Sequence, residues 1–406
     1  MTGLAERLMP YALISAISAW LSLQIGSMGD WRGDTWPAVH QLAQGDITGY
    51  LHAKAMMGPF ATLVQAPFVA ISGASGLEAY RWAAFPCLLA AGLLGIELSK
   101  AAQRRGQGAF ARVVLPALCL LNPLTFQALA SGHPEEILTA ALAVWAVLAA
   151  VEDRPWRTAL LLGLAIASKQ WAVMAVLPAL MALPARRLRV AFGAAAVVFA
   201  LLLPTLVVAP STFFDVQRHA ASAGHVVGPW SLWYPFASVQ TETYAVSGEH
   251  LAAQVHHAPP LAGALSHPLI VLLWLLLPAA LVLRRRTFRL QGDEAMVLLA
   301  LLALLRCVLD PVDNLYYQAP ILLAVVGWDA LSSRGSPYRS LAAAGAALLL
   351  WRLAHHPVQP AQLNAVYLLV ATGGLVAIAS SFLGRPTWTG VPRIKLFAGL
   401  TPNSGD

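Results

Sequence analysis

Gly163-Leu164-Ala165-Ile166-Ala167-Ser168-Lys169-Gln170-Trp171 interrupts an apolar stretch with a single cation. The runs on either side, 157–168 and 171–184, are each short for a hydrocarbon core that takes ~20 helical residues to cross. A break at membrane depth is tolerated only where protein or a water-filled cavity satisfies the backbone. Residues 157–184 therefore read as a helical hairpin that turns at Ser168-Lys169-Gln170-Trp171. An ammonium near hydrocarbon costs on the order of 3 kcal/mol by insertion scales. A bound phosphate would offset that cost; snorkelling to lipid headgroups is the alternative.

Outward from this hairpin the chain is a series of apolar runs separated by short polar loops. The runs are 8–26, 78–98, 113–130, 135–151, 157–168, 171–184, 190–209, 267–283, 294–309, 316–332, 339–354 and 362–383. They predict an all-α polytopic membrane protein of roughly twelve membrane helices, with both termini on one side. Only 11% of residues are charged and the mean hydropathy is +0.65, which excludes an ordinary soluble domain. The net charge of +7 is spread over small loop clusters, so nucleic acid is not an expected partner. Threading the runs alternately sorts the loops. Lys100, Arg104, Arg105, Arg112, Arg186, Arg187, Arg189 and Arg284 to Arg286 fall on one side; all eleven histidines fall on the other. Basic loops stay cytoplasmic, so the histidine side faces out of a plasma or inner membrane. Cys87, Cys119 and Cys307 lie in or beside apolar runs and read as packing residues. The first run lacks an obvious cleavage site and reads as a retained span.

The whole chain, 1–406, is expected to be one membrane domain, with 384–406 as a short cytoplasmic tail. Two outer segments are too long to be mere connectors. Residues 27–77 form a long first loop in which Phe60 to Ser72, apolar and carrying Pro67, reads as a helix lying in the interface. Residues 210–266 carry Arg218, His219, His225 and the aromatic run Pro229-Trp230-Ser231-Leu232-Trp233-Tyr234-Pro235.

The acids of Asp30-Trp31-Arg32-Gly33-Asp34 can supply a general base in a partly desolvated site, or only a hydrated loop with an N-cap for the helix near Trp36. In Gly132-His133-Pro134-Glu135-Glu136, the proline and both glutamates suit the first turn of a helix and its dipole. His133 is not explained that way and, protonated, can contact an anion. Arg306 lies inside an apolar run four residues before Asp310, where an intrahelical ion pair and a site contribution are both open. Tyr316 and Tyr317 fit an interfacial belt or a site equally well. Adjacent pairs such as His256-His257 point apart, and no metal site is expected.

These residues together resemble the GT-C superfamily of polytopic glycosyltransferases, and within it the glycosyltransferase 87 type, which includes mycobacterial phosphatidylinositol-mannoside mannosyltransferases. The resemblance rests on Asp30 and Asp34, on Gly58-Pro59-Phe60 to Ala70, on the stretch from Gly163 to Lys169, and on Asp310-Pro311 followed by Asn314, Tyr316 and Tyr317. It implies a GT-C-like bundle with interfacial helices and a polyprenyl-phosphate sugar as donor, with no cofactor. It also implies a catalytic acid in the first outer loop, Asp34 or Asp30, and a lipid-phosphate contact at Lys169. The spacing Asp-x-x-x-Asp departs from the closer acidic pair common in the superfamily.

The expected activity is inverting transfer of a sugar, mannose or another hexose or pentose, to a lipid or glycan acceptor at the outer face. Asp34 would be the base, and Lys169 with Arg218 or Arg306 would stabilise the leaving phosphate. His133 and His225 are further candidate contacts. Trp230, Trp233, Tyr234 and Tyr316 would hold sugar or lipid. The expected partners are membrane lipids, the lipid-linked donor and a glycan or glycolipid acceptor. A transporter or flippase of a lipid-linked sugar or related anion is the alternative; it predicts inverted repeats, and none is visible.

Overall fold

The computed structural model describes residues 2–221, 224, 226–246, 249–332 and 335–383. The expected tail 384–406 and His225 lie outside the described residues. The chain opens with α1 (Thr2–Leu23), then runs through the first long loop as three short helices, α2 (Trp31–Asp34), α3 (Trp36–Ala43) and α4 (Ile47–His52). After these come α5 (Pro59–Ser72), α6 (Gly76–Arg104), α7 (Ala109–Leu120), α8 (Pro123–Ser131), α9 (Pro134–Val151) and α10 (Pro155–Ser168). A 3-10 turn, Gln170–Ala175, leads into α11 (Val176–Ala182), α12 (Arg187–Val208) and α13 (Pro210–Ala221). Strands β1 (Ser238–Val246) and β2 (Glu249–His257) are followed by α14 (Pro260–Arg285) and α15 (Gly292–Leu309). The 3-10 turn Leu315–Gln318, α16 (Ala319–Leu331), α17 (Tyr338–Ala354) and α18 (Pro360–Leu383) complete it.

One expectation is corrected. Six helical segments among the described residues are long and apolar enough to cross a membrane, not roughly twelve: Gly76–Arg104, Ala109–Ser131, Pro134–Val151, Arg187–Val208, Pro260–Arg285 and Pro360–Phe382. The other expected runs are shorter or more charged. At 1.5 Å per residue the 14 residues of α10 span only about 21 Å. The 18 residues of α15 include Asp293, Glu294 and Arg306. The all-α membrane architecture stands as expected, with one addition: β1 and β2 form an antiparallel hairpin inside the long 210–266 segment. Val239, Thr241 and Thr243 supply its β-branched alternation.

The core centres on α9, whose membrane window is 89% buried. It packs on α6, α10, α11, α15 and α16, as a helix that is apolar all round requires. The windows of α12, α14 and α18 are mostly exposed and form the apolar exterior.

One end of the bundle is cross-tied through its basic loops. Arg104 pairs with Glu152, Arg285 Nη1 lies 2.7 Å from Glu294, and Gln107 Nε2 donates to the carbonyls of Asp329 and Ser332 at 2.6 and 2.9 Å. Pro155 and Trp156 line one small pocket with Arg186 and Arg189, so both legs of the Lys169 hairpin return to this end. The hairpin's turn, the first-loop acids and the His133 turn meet at the other.

Candidate functional site

The site is built where four backbone turns touch. Gly29 and Gly132 have φ of +48° and +87° and lie against one another; a Cβ on Gly132 would come within 2.4 Å of Met28 O. Only glycine allows that approach with a left-handed backbone. Across the junction Asp30 N donates to Ser131 O at 3.0 Å. Met56 N donates to Asp34 O at 3.0 Å, and Gly58 N to Ser168 O at 2.9 Å. A Cβ on Gly58 would fall 2.0 Å from Ala167 O. Trp31, directly after Asp30, anchors the loop of the two acids: it is fully buried, donates from Nε1 to Gln65 Oε1 at 2.9 Å and packs on Trp36 and Tyr80.

From this platform a string of charges runs inward. His133 Nε2 lies 3.3 Å from Asp30 Oδ2, and its Nδ1 lies 3.0 Å from Glu135 Oε1. Lys169 Nζ sits 3.2 Å from both Glu135 Oε1 and Glu136 Oε1. Trp171 Nε1 donates to Glu136 Oε2 at 2.9 Å. The His133 ring stacks on Tyr316 at 4.9 Å, and Tyr317 stands edge-on to Tyr316. Arg306 lies over Tyr317 at 4.8 Å, with Asp310 Oδ2 at 3.8 Å.

Asp34 and His133, at the outer end of the string, are both displaced in acidity. Burial raises the Asp34 carboxyl; Asp30 and Glu135 add to the shift, while His133 and Lys169 oppose it. Burial alone would lower the His133 imidazole, but its hydrogen bond to Glu135 and that residue's charge outweigh it and leave the imidazole raised.

A cavity of 570 Å³ opens beside the string. Glu136, Lys169, Arg306, Asp310, Tyr317 and His267 line its polar part, and Ile166, Val198, Leu202, Met174 and Ile270 its apolar part. Ile166, Val198, Leu202 and Phe213 also line an apolar groove between α10 and α12, so cavity and groove are continuous. A headgroup anion with a long hydrocarbon chain matches this division.

Asp30, Asp34, His133, Lys169, Arg306 and Tyr316 are thus gathered in one place. Other expected residues stand elsewhere. Arg218 is exposed and pairs with Asp215, which also pairs with Lys54. Trp230 is buried edge-on to Tyr367, Trp233 Nε1 donates to Leu309 O, and Tyr234 Oη meets His256 Nε2 at 3.1 Å. The polar atoms of Trp233 and Tyr234 are spent on protein partners, and none of the three lines the cavity. Glu135 and Glu136 carry more than a helix-dipole role, because they are the partners of Lys169. Nothing in the sequence marked that pairing across more than thirty residues, although a buried cation needs carboxylates.

Two solved structures of the Archaeoglobus fulgidus oligosaccharyltransferase are similar over most of this chain. One, AglB with an inhibitory peptide and a dolichol-phosphate, shares 15% identity at a TM-score of 0.42 over 91% of this chain and 55% of that one. The other, tethered to an acceptor peptide, shares 15% identity at 0.43 over 96% and 56%. The chain thus spans a little over half the length of each. No curated protein matches it. The model of Glycosyltransferase family 87 matches residues 57–311, a stretch that holds His133, Glu135, Glu136, Lys169, Arg306 and Asp310 and leaves Asp30 and Asp34 just outside. With that match over more than half of its length, the chain belongs to glycosyltransferase family 87.

Proposed function

We propose that the protein transfers a sugar, mannose or another hexose or pentose, from a polyprenyl phosphate to an acceptor hydroxyl at the outer face of the cell membrane, with inversion. The single observation that carries this reading is the continuity of the charged cavity at Lys169 and Arg306 with the apolar groove between α10 and α12. A donor whose phosphate sits at the charged end lays its isoprenoid chain along the groove, where apolar burial contributes about 25 cal/mol per Å².

In the reaction the acceptor oxygen forms a bond to the anomeric carbon as the bond from that carbon to the phosphate oxygen breaks. Asp34 takes the acceptor's proton; its pKa, raised by burial, makes it a stronger base than an exposed aspartate. The electron pair of the broken bond stays on the polyprenyl phosphate. Lys169 and Arg306 stabilise the charge gathering there. Lys169 does this by exchange, turning from Glu136, with which it is paired, toward the phosphate. His133 holds Asp30 and carries its link to Glu135. The arginine loops face the cytoplasm and the site faces outward.

The test is purified enzyme in proteoliposomes with radiolabelled polyprenyl-phosphate sugars and, separately, nucleotide sugars. Transfer from a polyprenyl-phosphate donor, lost in Asp34→Asn, is the expected result. Transfer from nucleotide sugars alone would overturn it.

A further inference from the structure

A second cavity, larger than the first at 760 Å³, lies between α16, α17 and α18, and the two share no lining residue. From Tyr367 to Ser381 along α18 it extends roughly 21 Å at the helical rise of 1.5 Å per residue. That is most of one hydrocarbon chain's depth in a bilayer core of about 30 Å. Its walls are kept open by small residues of α17 and α18, Gly373 and Gly374 among them. Protein interiors are otherwise packed closely enough to exclude such a volume.

Small residues and an apolar wall would fit any lipid that happens to surround the protein. Two polar side chains argue for more. Gln318 and Tyr367 line the end of the cavity nearest the site, and Gln318 Nε2 and Tyr367 Oη are buried without a hydrogen-bond partner. Leaving such groups unpaired is costly, and hydrocarbon has nothing to offer them. An amphiphile with oxygens just above its chain does.

The position of Gln318 fixes where that amphiphile would deliver its head. Three consecutive residues of one 3-10 turn look three ways. Tyr316 stacks on His133 beside the first-loop acid, Tyr317 lines the Lys169 cavity, and Gln318 lines the second cavity. A head group anchored at Gln318 and Tyr367 therefore reaches the reaction centre from the other flank of the turn than a phosphate held at Lys169. Displacement at a sugar carbon requires that separation, because nucleophile and leaving group must lie on opposite sides of the carbon.

We infer that the α16–α17–α18 cavity binds the hydrocarbon chain of the acceptor, which makes the acceptor a membrane lipid presenting a hydroxyl-bearing head at Gln318 and Tyr367. This rests on the donor assignment proposed above, and the experiment separates the two. A Cβ on Gly373 meets nothing within 4 Å, so Gly373→Trp fills the cavity without moving backbone; Gly345, equally open, lies outside it and Gly345→Trp is the control.

The first arm titrates membrane lipid extract as acceptor against a fixed radiolabelled polyprenyl-phosphate sugar. The expected result in Gly373→Trp is an acceptor KM at least tenfold higher, with donor KM unchanged and Gly345→Trp native. An unchanged acceptor KM, or a donor KM that rises instead, overturns the inference; the latter would give the cavity to the donor's chain. The second arm needs no donor. A diacyl phospholipid with a diazirine in its acyl chain should label the α18 peptide of the native protein and of Gly345→Trp, but not of Gly373→Trp. Equal labelling of all three means surrounding lipid only and sinks the site. If no polyprenyl-phosphate sugar supports transfer while the labelling pattern holds, it is the donor assignment that fails.

Discussion

Lys169 is paired with two buried carboxylates, and this decides what its removal does. From the sequence alone, Lys169→Met is expected to lose donor use and stay folded. With Glu135 and Glu136 left uncompensated, breaking the cluster instead costs on the order of 3–5 kcal/mol. We expect a lower apparent Tm in detergent for Lys169→Met, partly restored in Lys169→Met/Glu135→Gln. Lys169→Arg should keep the fold and lower kcat more than donor affinity. A Lys169→Met protein as stable as the native one would show that the ion cluster contributes nothing to the fold. For Asp34 the test is a pH profile. Only its ionised form accepts a proton, and burial raises it above the ordinary ~3.9. Activity should therefore be present above that raised value and fall as pH drops through it, so the acid limb of kcat/KM sits higher than an exposed aspartate would place it. Asp34→Asn should abolish transfer with folding intact, and Asp30→Asn should only reduce it. Full activity in Asp34→Asn would move the base to another group.

At the scale of elements, the glycine junction of the first loop and the α8–α9 turn makes the next prediction. Gly132→Ala places a Cβ against Met28 O and forces a left-handed backbone on alanine, so a loss of roughly 1–3 kcal/mol is expected, together with loss of transfer. Gly345→Ala, with nothing within 4 Å, should be neutral in the same thermal melt. The junction was not legible in the sequence, where Gly29 and Gly132 look like ordinary turn residues a hundred positions apart. The Lys169 hairpin was legible, because two runs too short to span and a cation between them have few other solutions. The start of α9 was half legible. Pro134 at its first position is a local signal, but the same local logic assigned Glu135 and Glu136 to the helix dipole and hid their partner. The β-hairpin was missed for a different reason: its alternation lies inside a segment whose aromatics drew the functional reading. Arg218 stands apart from the charged cluster, paired with Asp215 one helical turn away, because charge in a long loop says nothing of direction.

For the whole molecule, the proposed orientation, with basic loops inside and histidine loops outside, makes the next prediction. Single cysteines at Lys54 and His356, in a background without the buried Cys87, Cys119 and Cys307, should react with an impermeant thiol reagent from outside. Cysteines at Arg105 and Arg286 should react only after permeabilisation. Labelling of position 105 from outside would invert the molecule and with it the face on which transfer occurs. The orientation also sets how the enzyme meets its donor. The Lys169 cavity is continuous with a groove on α12, one of the helices that form the bundle's exterior. A donor arriving by that route comes sideways from the lipid, so the quantity the enzyme senses is a surface density, the donor's mole fraction in the bilayer. Adding buffer to proteoliposomes should leave the rate per vesicle unchanged. Adding inert phospholipid to the same vesicles should slow it in proportion, and a cell could then set flux through this step by the composition of its membrane alone.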